Sequence, residues 1–359
     1  MKKILCLIIA IISLCFILTG CAQEPEREPN PATDFDCTVN EDGSITARYI
    51  GEATEVVVPA YIDGKPVTNI DFFNAKVTYV ELPETVTKLE LFDFEHCIYL
   101  EEIKLPETLE EIGVNAFLKC ERLKKINLPE SLKVIQQGAF TECKSLAEIE
   151  IPDSLEHLGS YAFQDCKSLK HIDLPAKCIN ERSTNLFAGS GLESVSLEEG
   201  ITIIPTGIFM GTNIKKIKIP STVEKIHVNA FRGCTSLERL NIPDTITEIG
   251  EFAFAGCLSL DSINLSDNII SIGDYAFQGM LVEEIIIPAS VTTITELAFK
   301  NCPNLQKVKF EGNAPESFEK DDVLAIPDLD LVMNYTVYYK EGASGFTSPT
   351  WCGYTTEKW

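Results

Sequence analysis

The chain repeats itself every 23 residues or so over most of its length. A Leu-Pro or Ile-Pro pair starts at Leu82, Leu105, Leu128, Ile151, Leu174, Ile219, Ile242 and Ile287. Leu197, Leu265 and Phe310 continue the series without the proline. From Leu105 to Leu265, seven steps cover 160 residues, about 22.9 residues each. A fixed period of this size is typical of solenoids, in which each repeat forms one turn and buries its apolar side chains by stacking on its neighbours.

Phenylalanine and cysteine keep the same period. The phenylalanines are Phe94, Phe117, Phe140, Phe163, Phe187, Phe209, Phe231, Phe254, Phe277 and Phe299. A cysteine follows three residues later in most turns, at Cys97, Cys120, Cys143, Cys166, Cys234, Cys257 and Cys302. Ser190, Thr212 and Met280 take its place in the other turns. Three series with one period predict that each series occupies one position of the coil.

The segment from Cys120 to Phe140 shows how one turn is built. Residues 123–128 fit an L-x-x-I-x-L strand whose alternate side chains point inward. Pro129 lacks an N–H group, so it ends the strand and turns the chain. Residues 132–135 form a second, shorter apolar segment, and the ring of Phe140 fills the width of the interior. Eleven such turns predict a rod roughly 50 Å long.

The pattern C-x-x-L-x-x-I-x-L-P-x-x-L-x-x-I-x-x-x-A-F resembles the BspA-like, Treponema-type leucine-rich repeats of bacterial surface proteins, over residues 58–312. The resemblance implies a β-rich solenoid, a right-handed coil with short parallel strands that is capped at both ends. It places an N-terminal lead-in at 34–66, the solenoid at 67–312 and a C-terminal cap at 313–359. It also implies an extracellular binding or adhesion role with no enzymatic activity and no cofactor.

The first 20 residues predict an export signal. Two lysines precede an almost unbroken apolar run from Ile4 to Leu18, which is shorter than a membrane span. The run ends in Leu-Thr-Gly-Cys, which resembles the lipobox of bacterial lipoproteins, so Cys21 is the expected lipidation site. Residues 21–33 are rich in proline and glutamate and predict a semi-rigid tether. We therefore expect an exported chain, lipid-anchored to the bacterial membrane, with its domain outside the cell or in the envelope.

The charge excludes some partners. The chain carries 54 acidic and 30 basic side chains, a net charge of -24. Nucleic acid needs a basic stripe to displace counterions, so it is not an expected partner. The same negative charge opposes electrostatic attachment to anionic lipid, so the N-terminal lipid is the only membrane contact that we expect.

The cysteines allow a metal, a disulfide or a structural interpretation. A metal needs ligands that converge on one ion, whereas these cysteines stand one per turn in a line. Neighbouring turns are close enough for disulfides, but parallel side chains fit the torsion near 90° badly. Cys37 and Cys352 should lie at opposite ends of the rod. The sequence favours a ladder of small, buried residues with mostly free thiols and no metal.

Neither the histidines nor the C-terminal aromatics identify a catalytic site. The four histidines occupy different turns, and no nucleophile elbow, H-E-x-x-H or phosphate loop is present. Both tryptophans fall in the last nine residues, near five other aromatic side chains. These residues, Tyr335, Tyr338, Tyr339, Phe346, Trp351, Tyr354 and Trp359, predict either apolar cover for the last turn or a platform for a partner.

The outward side chains of the strands form the default binding surface of such a coil. The ten predicted rows are Glu102/Lys104, Lys125/Asn127, Glu148/Glu150, His171/Asp173, Ser194/Ser196, Lys216/Lys218, Arg239/Asn241, Ser262/Asn264, Glu284/Ile286 and Lys307/Lys309. Within them, we take His171, Asp173, Lys216, Lys218, Arg239 and Asn241 as the candidate binding face. The surface is polar and has no aromatic anchor.

Three functions are therefore open. The first is a surface lipoprotein that binds a protein or glycan through the coil. The second is an envelope spacer without a specific ligand. The third, an enzyme, would need a site that only the fold assembles.

Overall fold

The computed structural model describes residues 27–295, 297–316, 336–352 and 354–359. They form a β-solenoid with about 23 residues per turn and short parallel strands, as the repeat predicts, but with about 13 turns in place of the eleven predicted. The helices among these residues are two 3-10 turns, Ala32–Asp34 and Ala176–Cys178. The described part of the chain contains no helix long and apolar enough to cross a bilayer. The predicted signal, Cys21 and most of the tether lie outside the described residues.

One side of every turn contributes to a ladder of parallel strands, which we call the front ladder. Its strands are Glu55–Val57, Tyr79–Glu81, Glu102–Lys104, Lys125–Ile126, His171–Leu174, Ser194–Leu197, Lys216–Lys218, Arg239–Asn241, Glu284–Ile287, Lys307–Phe310, Thr336–Tyr339 and Tyr354–Lys358. In two turns the front ladder is continued by a single bridge in place of a strand, from Lys125 to Glu148 and from Asn241 to Asn264. The first strand falls within the predicted lead-in and the last two within the predicted cap.

A second ladder runs along the coil where the shorter apolar segments stack. Its strands are Lys88–Leu89, Glu111–Ile112, Val134–Ile135, His157–Leu158, Ile203–Ile204, Lys225–Ile226, Glu248–Ile249, Ser271–Ile272 and Thr293–Ile294. The ladder is interrupted in the turn that contains Ala176–Cys178. There the spacing from Leu174 to Phe187 is 13 residues, against 12 from Ile151 to Phe163. The extra residue is accommodated by the 3-10 turn.

The phenylalanines form one continuous stack along the interior. Ring centroids of successive phenylalanines from Phe94 to Phe299 lie 5.1 to 6.2 Å apart. Phe72 and Tyr49 extend the stack beyond the predicted series. The ring centroid of Phe72 lies 5.1 Å from that of Phe94, and the ring centroid of Tyr49 lies 5.2 Å from that of Phe72. The rings from Phe72 to Phe299 are fully buried. Each ring therefore depends on the turn before it and the turn after it for its cover.

Both ends of the coil are covered. At the N-terminal end, Phe35–Val39, Ile45–Tyr49, Tyr61–Ile62 and Lys65–Asp71 form a four-stranded sheet, and its Tyr49 packs on the first ring of the stack. At the C-terminal end, Thr350–Trp351 pairs antiparallel with the last strand. The rings of Phe346 and Trp351 lie 5.3 and 5.9 Å from Phe310. These contacts favour the cover over the platform, since Trp351 is buried; Tyr335 lies outside the described residues.

The cysteine ladder lies inside the coil beside the phenylalanines. Each of the seven thiols donates a hydrogen bond to the carbonyl oxygen of the phenylalanine one turn earlier, at 3.0 to 3.3 Å. Cys178, which lies outside the repeated series, is also buried and bonds the carbonyl oxygen of Leu155. It occupies the place that leucine, isoleucine or valine takes in the second segment of other turns.

Native protein should resist thiol reagents at the ladder. Burial raises the pKa of Cys97 and Cys302 to about 12 and that of Cys234 to about 11, and it raises the pKa of Cys120, Cys143 and Cys257 well above that of an ordinary thiol. At pH 8 roughly one such thiol in a thousand or fewer is ionised, and the thiolate is the reactive species. We expect labelling of the ladder only after denaturation.

A suitable protein for this measurement is residues 22–359 with Cys37→Ala/Cys352→Ala, which lacks Cys6, Cys15 and Cys21 and also the two half-buried cysteines. Its labelling with a chromogenic disulfide reagent should be slow at pH 8 and complete in strong denaturant. Rapid reaction of several thiols in the folded variant would contradict the buried ladder.

Candidate binding face

The outward side chains of the front ladder form one exposed surface, which we call the front face. All six residues predicted as the candidate binding face are exposed on it. His171 and Asp173 are in register with Ser194 and Ser196. Lys216 and Lys218 are in register with Arg239 and Asn241. A backbone hydrogen bond from Lys215 to Glu193 links these two strand pairs. The fold therefore brings the predicted residues into neighbouring rows.

Many charges beside the front ladder are neutralised by ion pairs between successive turns. Lysine ammonium groups contact glutamate carboxylates one turn away at 2.5 to 3.1 Å in Lys104–Glu81, Lys124–Glu101, Lys144–Glu121 and Lys170–Glu193. Among the described residues, Glu148, Glu150, Lys216 and Arg239 make no ion pair, and Lys218 makes only a distant one at 3.8 Å. Their charges remain available to a partner.

A recess of about 800 Å³ opens on the front face around the predicted His171 and Asp173. Glu148 and Glu150 lie on one side, Ser196 and Glu198 on the other, and apolar side chains such as Ile172 form the floor. The row of Ser194 and Ser196 carries short side chains, and a row of short side chains between longer ones leaves a hollow. The recess is acidic at its rim and apolar at its base, so it suits a long basic side chain.

A hydrogen-bonded network crosses the recess. Nδ1 of His171 lies 2.8 Å from Oγ of Ser194, and Nε2 lies 3.1 Å from Oδ1 of Asp173. A hydrogen bond from Ser196, helped by His171, lowers the pKa of the Asp173 carboxyl. Asp173 therefore keeps its negative charge over a wide pH range.

The same three residue types occur in hydrolytic triads, but this arrangement lacks other parts of such a site. Ser194 lies within a parallel strand pair, where backbone N–H groups are used in the ladder and are not directed at a developing oxyanion. The side chains of His171 and Asp173 are 51% and 78% exposed, so water is not excluded. The geometry favours an ordered polar surface over a nucleophilic centre.

The described residues contain no group of three or more His, Cys, Asp and Glu side chains that could hold a metal ion. The ladder thiols point to carbonyl groups one turn away and do not converge.

Some of the site was missed by the sequence interpretation. Glu148 and Glu150 stood among the ten rows but outside the candidate binding face, and the recess that they line was not predicted. The only feature of the sequence that indicates the recess is the Ser194/Ser196 row, where short side chains interrupt a series of long ones. The signs alternate along the whole face, yet acidic rows precede the serines and basic rows follow them.

Solved structures similar to this one are bacterial leucine-rich repeat proteins. A leucine-rich cell surface protein of Faecalibacterium prausnitzii is 23% identical, with a TM-score of 0.57 over 86% of this chain and 97% of that one. The pneumococcal vaccine antigen PcpA is 21% identical, with a TM-score of 0.62 over 86% and 92%. A leucine-rich repeat protein of Bacteroides ovatus is 25% identical, with a TM-score of 0.58 over 86% and 78%.

The search of curated proteins found no match to the sequence. The family description "BspA type Leucine rich repeat region" matches residues 66–193, 110–238 and 224–320, with six copies of the unit. These overlapping matches span the coil that carries the front face. The chain therefore belongs to the BspA-type leucine-rich repeat family.

Proposed function

We propose that the chain is an exported lipoprotein that binds a protein or glycan at the cell surface through its front face. The observation that carries this proposal is the recess beside two rows of exposed cations, in which Lys216 and Arg239 make no ion pair and Lys218 makes only a distant one. Proteins of this repeat type generally mediate protein interactions and are typically non-catalytic. The lipid on Cys21 would hold the domain at the membrane, and the tether would keep the front face accessible.

The front face has physical properties that suit a binding surface. Its strands are fixed by ladder hydrogen bonds on a fully packed interior, so little conformational entropy is lost when a partner binds. Asp173 and Lys218 are charged and exposed, with side-chain exposures of 78% and 90%. Exposed charges of this kind accelerate association and select partners more than they add affinity. We therefore expect binding that weakens as the salt concentration rises.

Reversing the basic rows should weaken binding. The purified fragment of residues 22–359 is first titrated against matrix proteins, mucins and bacterial cells to find a partner that it binds saturably. Lys216→Glu/Lys218→Glu/Arg239→Glu should then raise the Kd roughly tenfold or more, because like charges across an interface repel. The matched control is Lys65→Glu/Lys76→Glu/Arg182→Glu, which makes the same charge change at exposed positions outside the front face.

Equal loss of binding in both triple variants would mean that net charge, and not the front face, determines binding. Absence of saturable binding to every class of partner would favour the spacer over the binding protein.

The anchor has a separate test. Cys21→Ala should leave the precursor uncut or release it from the membrane fraction, because two acyl chains are needed for stable attachment. Cells grown with labelled palmitate and fractionated after lysis report both outcomes, and Cys37→Ala serves as the control cysteine. Labelled, membrane-bound Cys21→Ala protein would contradict the lipid anchor.

A further inference from the structure

In the five central rows of the front face, from Glu148/Glu150 to Arg239/Asn241, the charges are arranged evenly about the Ser194/Ser196 row. The acidic rows, Glu148/Glu150 and His171/Asp173, lie two turns and one turn before it. The basic rows, Lys216/Lys218 and Arg239/Asn241, lie one turn and two turns after it. A surface with acid on one side of its centre and base on the other is complementary to its own reversed copy.

We propose that the front face binds a second copy of the same chain, with the two rods antiparallel and face to face. This inference rests on the proposed role of the front face in binding and names its partner. The twofold axis runs parallel to the strands, above the Ser194/Ser196 row, and it reverses the order of the turns. Glu148 then lies opposite Arg239 of the second copy, and Asp173 lies opposite Lys218 of the second copy. Because the dimer has twofold symmetry, each of these contacts occurs twice.

Other ways of facing two copies are less favourable. An axis along the rod would place every row against itself, so the acidic Glu148/Glu150 row would face the same acidic row and the basic Lys216/Lys218 row would face the same basic row. A shift by two turns from the symmetric register would remove the acid-to-base contacts. The charge pattern therefore selects one orientation and one register.

The shapes of the two halves also match. The acidic half contains the recess of about 800 Å³, while the basic half presents Lys218 with a side chain 90% exposed. Stacked sheets lie about 10 Å apart, a distance that a lysine or arginine and a carboxylate can span together. The short serines at the centre allow this approach, and the apolar floor of the recess suits the methylene chain of a lysine.

The contact is small, so the association should be weak for single molecules. Five rows at about 4.8 Å and strands about 13 Å long bury roughly 300 Å² per copy, against about 800 Å² for a stable complex. Many copies on two surfaces act together and strengthen such contacts. Antiparallel rods carry their N-terminal tethers at opposite ends. The pair therefore suits two facing membranes, and the proposed contact joins cells that display the same protein.

The test uses beads that carry 22–359 through an N-terminal biotin. Wild-type beads should cluster, and the clusters should disperse at high salt. Lys218→Glu/Arg239→Glu places an acidic side chain at all four contact positions, and Glu148→Lys/Asp173→Lys places a basic side chain at all four. Beads of either variant alone should stay dispersed, whereas a mixture of two colours should form mixed clusters, because all four contacts are then restored.

Generic charge attraction does not produce this result. The fragment without Lys2 and Lys3 has a charge of -24 - 2 = -26, so the variants carry -26 - 4 = -30 and -26 + 4 = -22. Both remain strongly negative. Lys76→Glu/Arg182→Glu, with the same charge change as the acidic variant, should cluster like wild type.

Dispersed wild-type beads, or clustering of either charge variant by itself, would overturn the inference. If wild-type beads stay dispersed while the triple charge reversal still weakens binding to another partner, self-association is wrong and the proposed function stands.

Discussion

Replacing Phe140 with alanine should lower the free energy of unfolding by about 3 to 5 kcal/mol, the usual cost of removing a fully buried phenyl ring. The ring lies between Phe117 and Phe163, with centroids 5.2 and 5.4 Å away and nearly parallel planes. It is 0% exposed. Its removal leaves a cavity that no neighbouring side chain can fill, because each adjacent ring is held by its own turn.

The position of the cavity should also change how the coil unfolds. In a solenoid each turn contacts only its neighbours, so stability is carried by the interfaces between turns. A weak interface at Phe140 divides the coil into two parts that need not unfold together. We expect denaturation followed by circular dichroism to show a broader transition or two transitions.

The control is Phe73→Ala, since Phe73 is a phenylalanine outside the stack that is 52% exposed. This variant should lose less than about 1 kcal/mol, as surface substitutions usually do. Similar losses in the two variants would mean that the stack is not the main source of stability.

The second large effect concerns Asp93, which stands where most other turns have alanine. The equivalent residues are Ala116, Ala139, Ala162, Ala230, Ala253, Ala276 and Ala298. Asp93 is only 5% exposed. Burial raises the pKa of its carboxyl to about 8, although the N–H of Glu90 donates to Oδ2 at 2.7 Å and Lys88 lies near enough to oppose the shift. The charges of Glu90 and Asp71 raise this pKa further.

Stability should therefore fall as the pH rises through this range. The folded carboxyl holds its proton to about pH 8, whereas in the unfolded chain it ionises near pH 4. Folding takes up a proton between these values, so the contribution is complete below pH 4 and is lost by about pH 8. At about 1.4 kcal/mol for each unit of pKa, the loss amounts to a few kcal/mol.

Asp93→Ala should remove this dependence. Denaturation at pH 4.5, 6 and 8 should show a gain in stability over wild type that grows with pH, because the other titrating groups are common to both proteins. Asp93→Asn keeps an acceptor for the Glu90 amide but cannot ionise, so it should give the same slope. A difference between wild type and both variants that stays constant from pH 4.5 to 8 would show that Asp93 has an ordinary pKa.

The residues of the core could be predicted almost completely from sequence. The errors of this prediction lie in the turns where the repeat is irregular. The series of phenylalanines was predicted from Phe94, but Phe72 and Tyr49 continue the same stack. Their turns lack the regular pattern, so no period reveals them. Cys178 was not recognised as a core residue because the turn that contains it is one residue longer than its neighbours. Only the register of the folded chain places it beside Leu155.

The binding surface was less predictable. The outward positions follow from the alternation of the strands, and all six candidate residues proved to be exposed. Which charges remain without an ion pair depends on distances between turns. Lys104 and Lys124 reach glutamates one turn away, whereas Lys216 and Arg239 do not. The recess likewise depends on three successive rows.

The sequence by itself determined the coil, its period, the residues that fill it and the line of buried cysteines. It could do so because burial of apolar side chains repeats with every turn and leaves the same pattern each time. Only the tertiary structure decided which outward charges remain without an ion pair. Residues 23 positions apart in the chain lie side by side in the fold, and their side chains either neutralise each other or remain available. That outcome differs from turn to turn, so no repeated pattern records it.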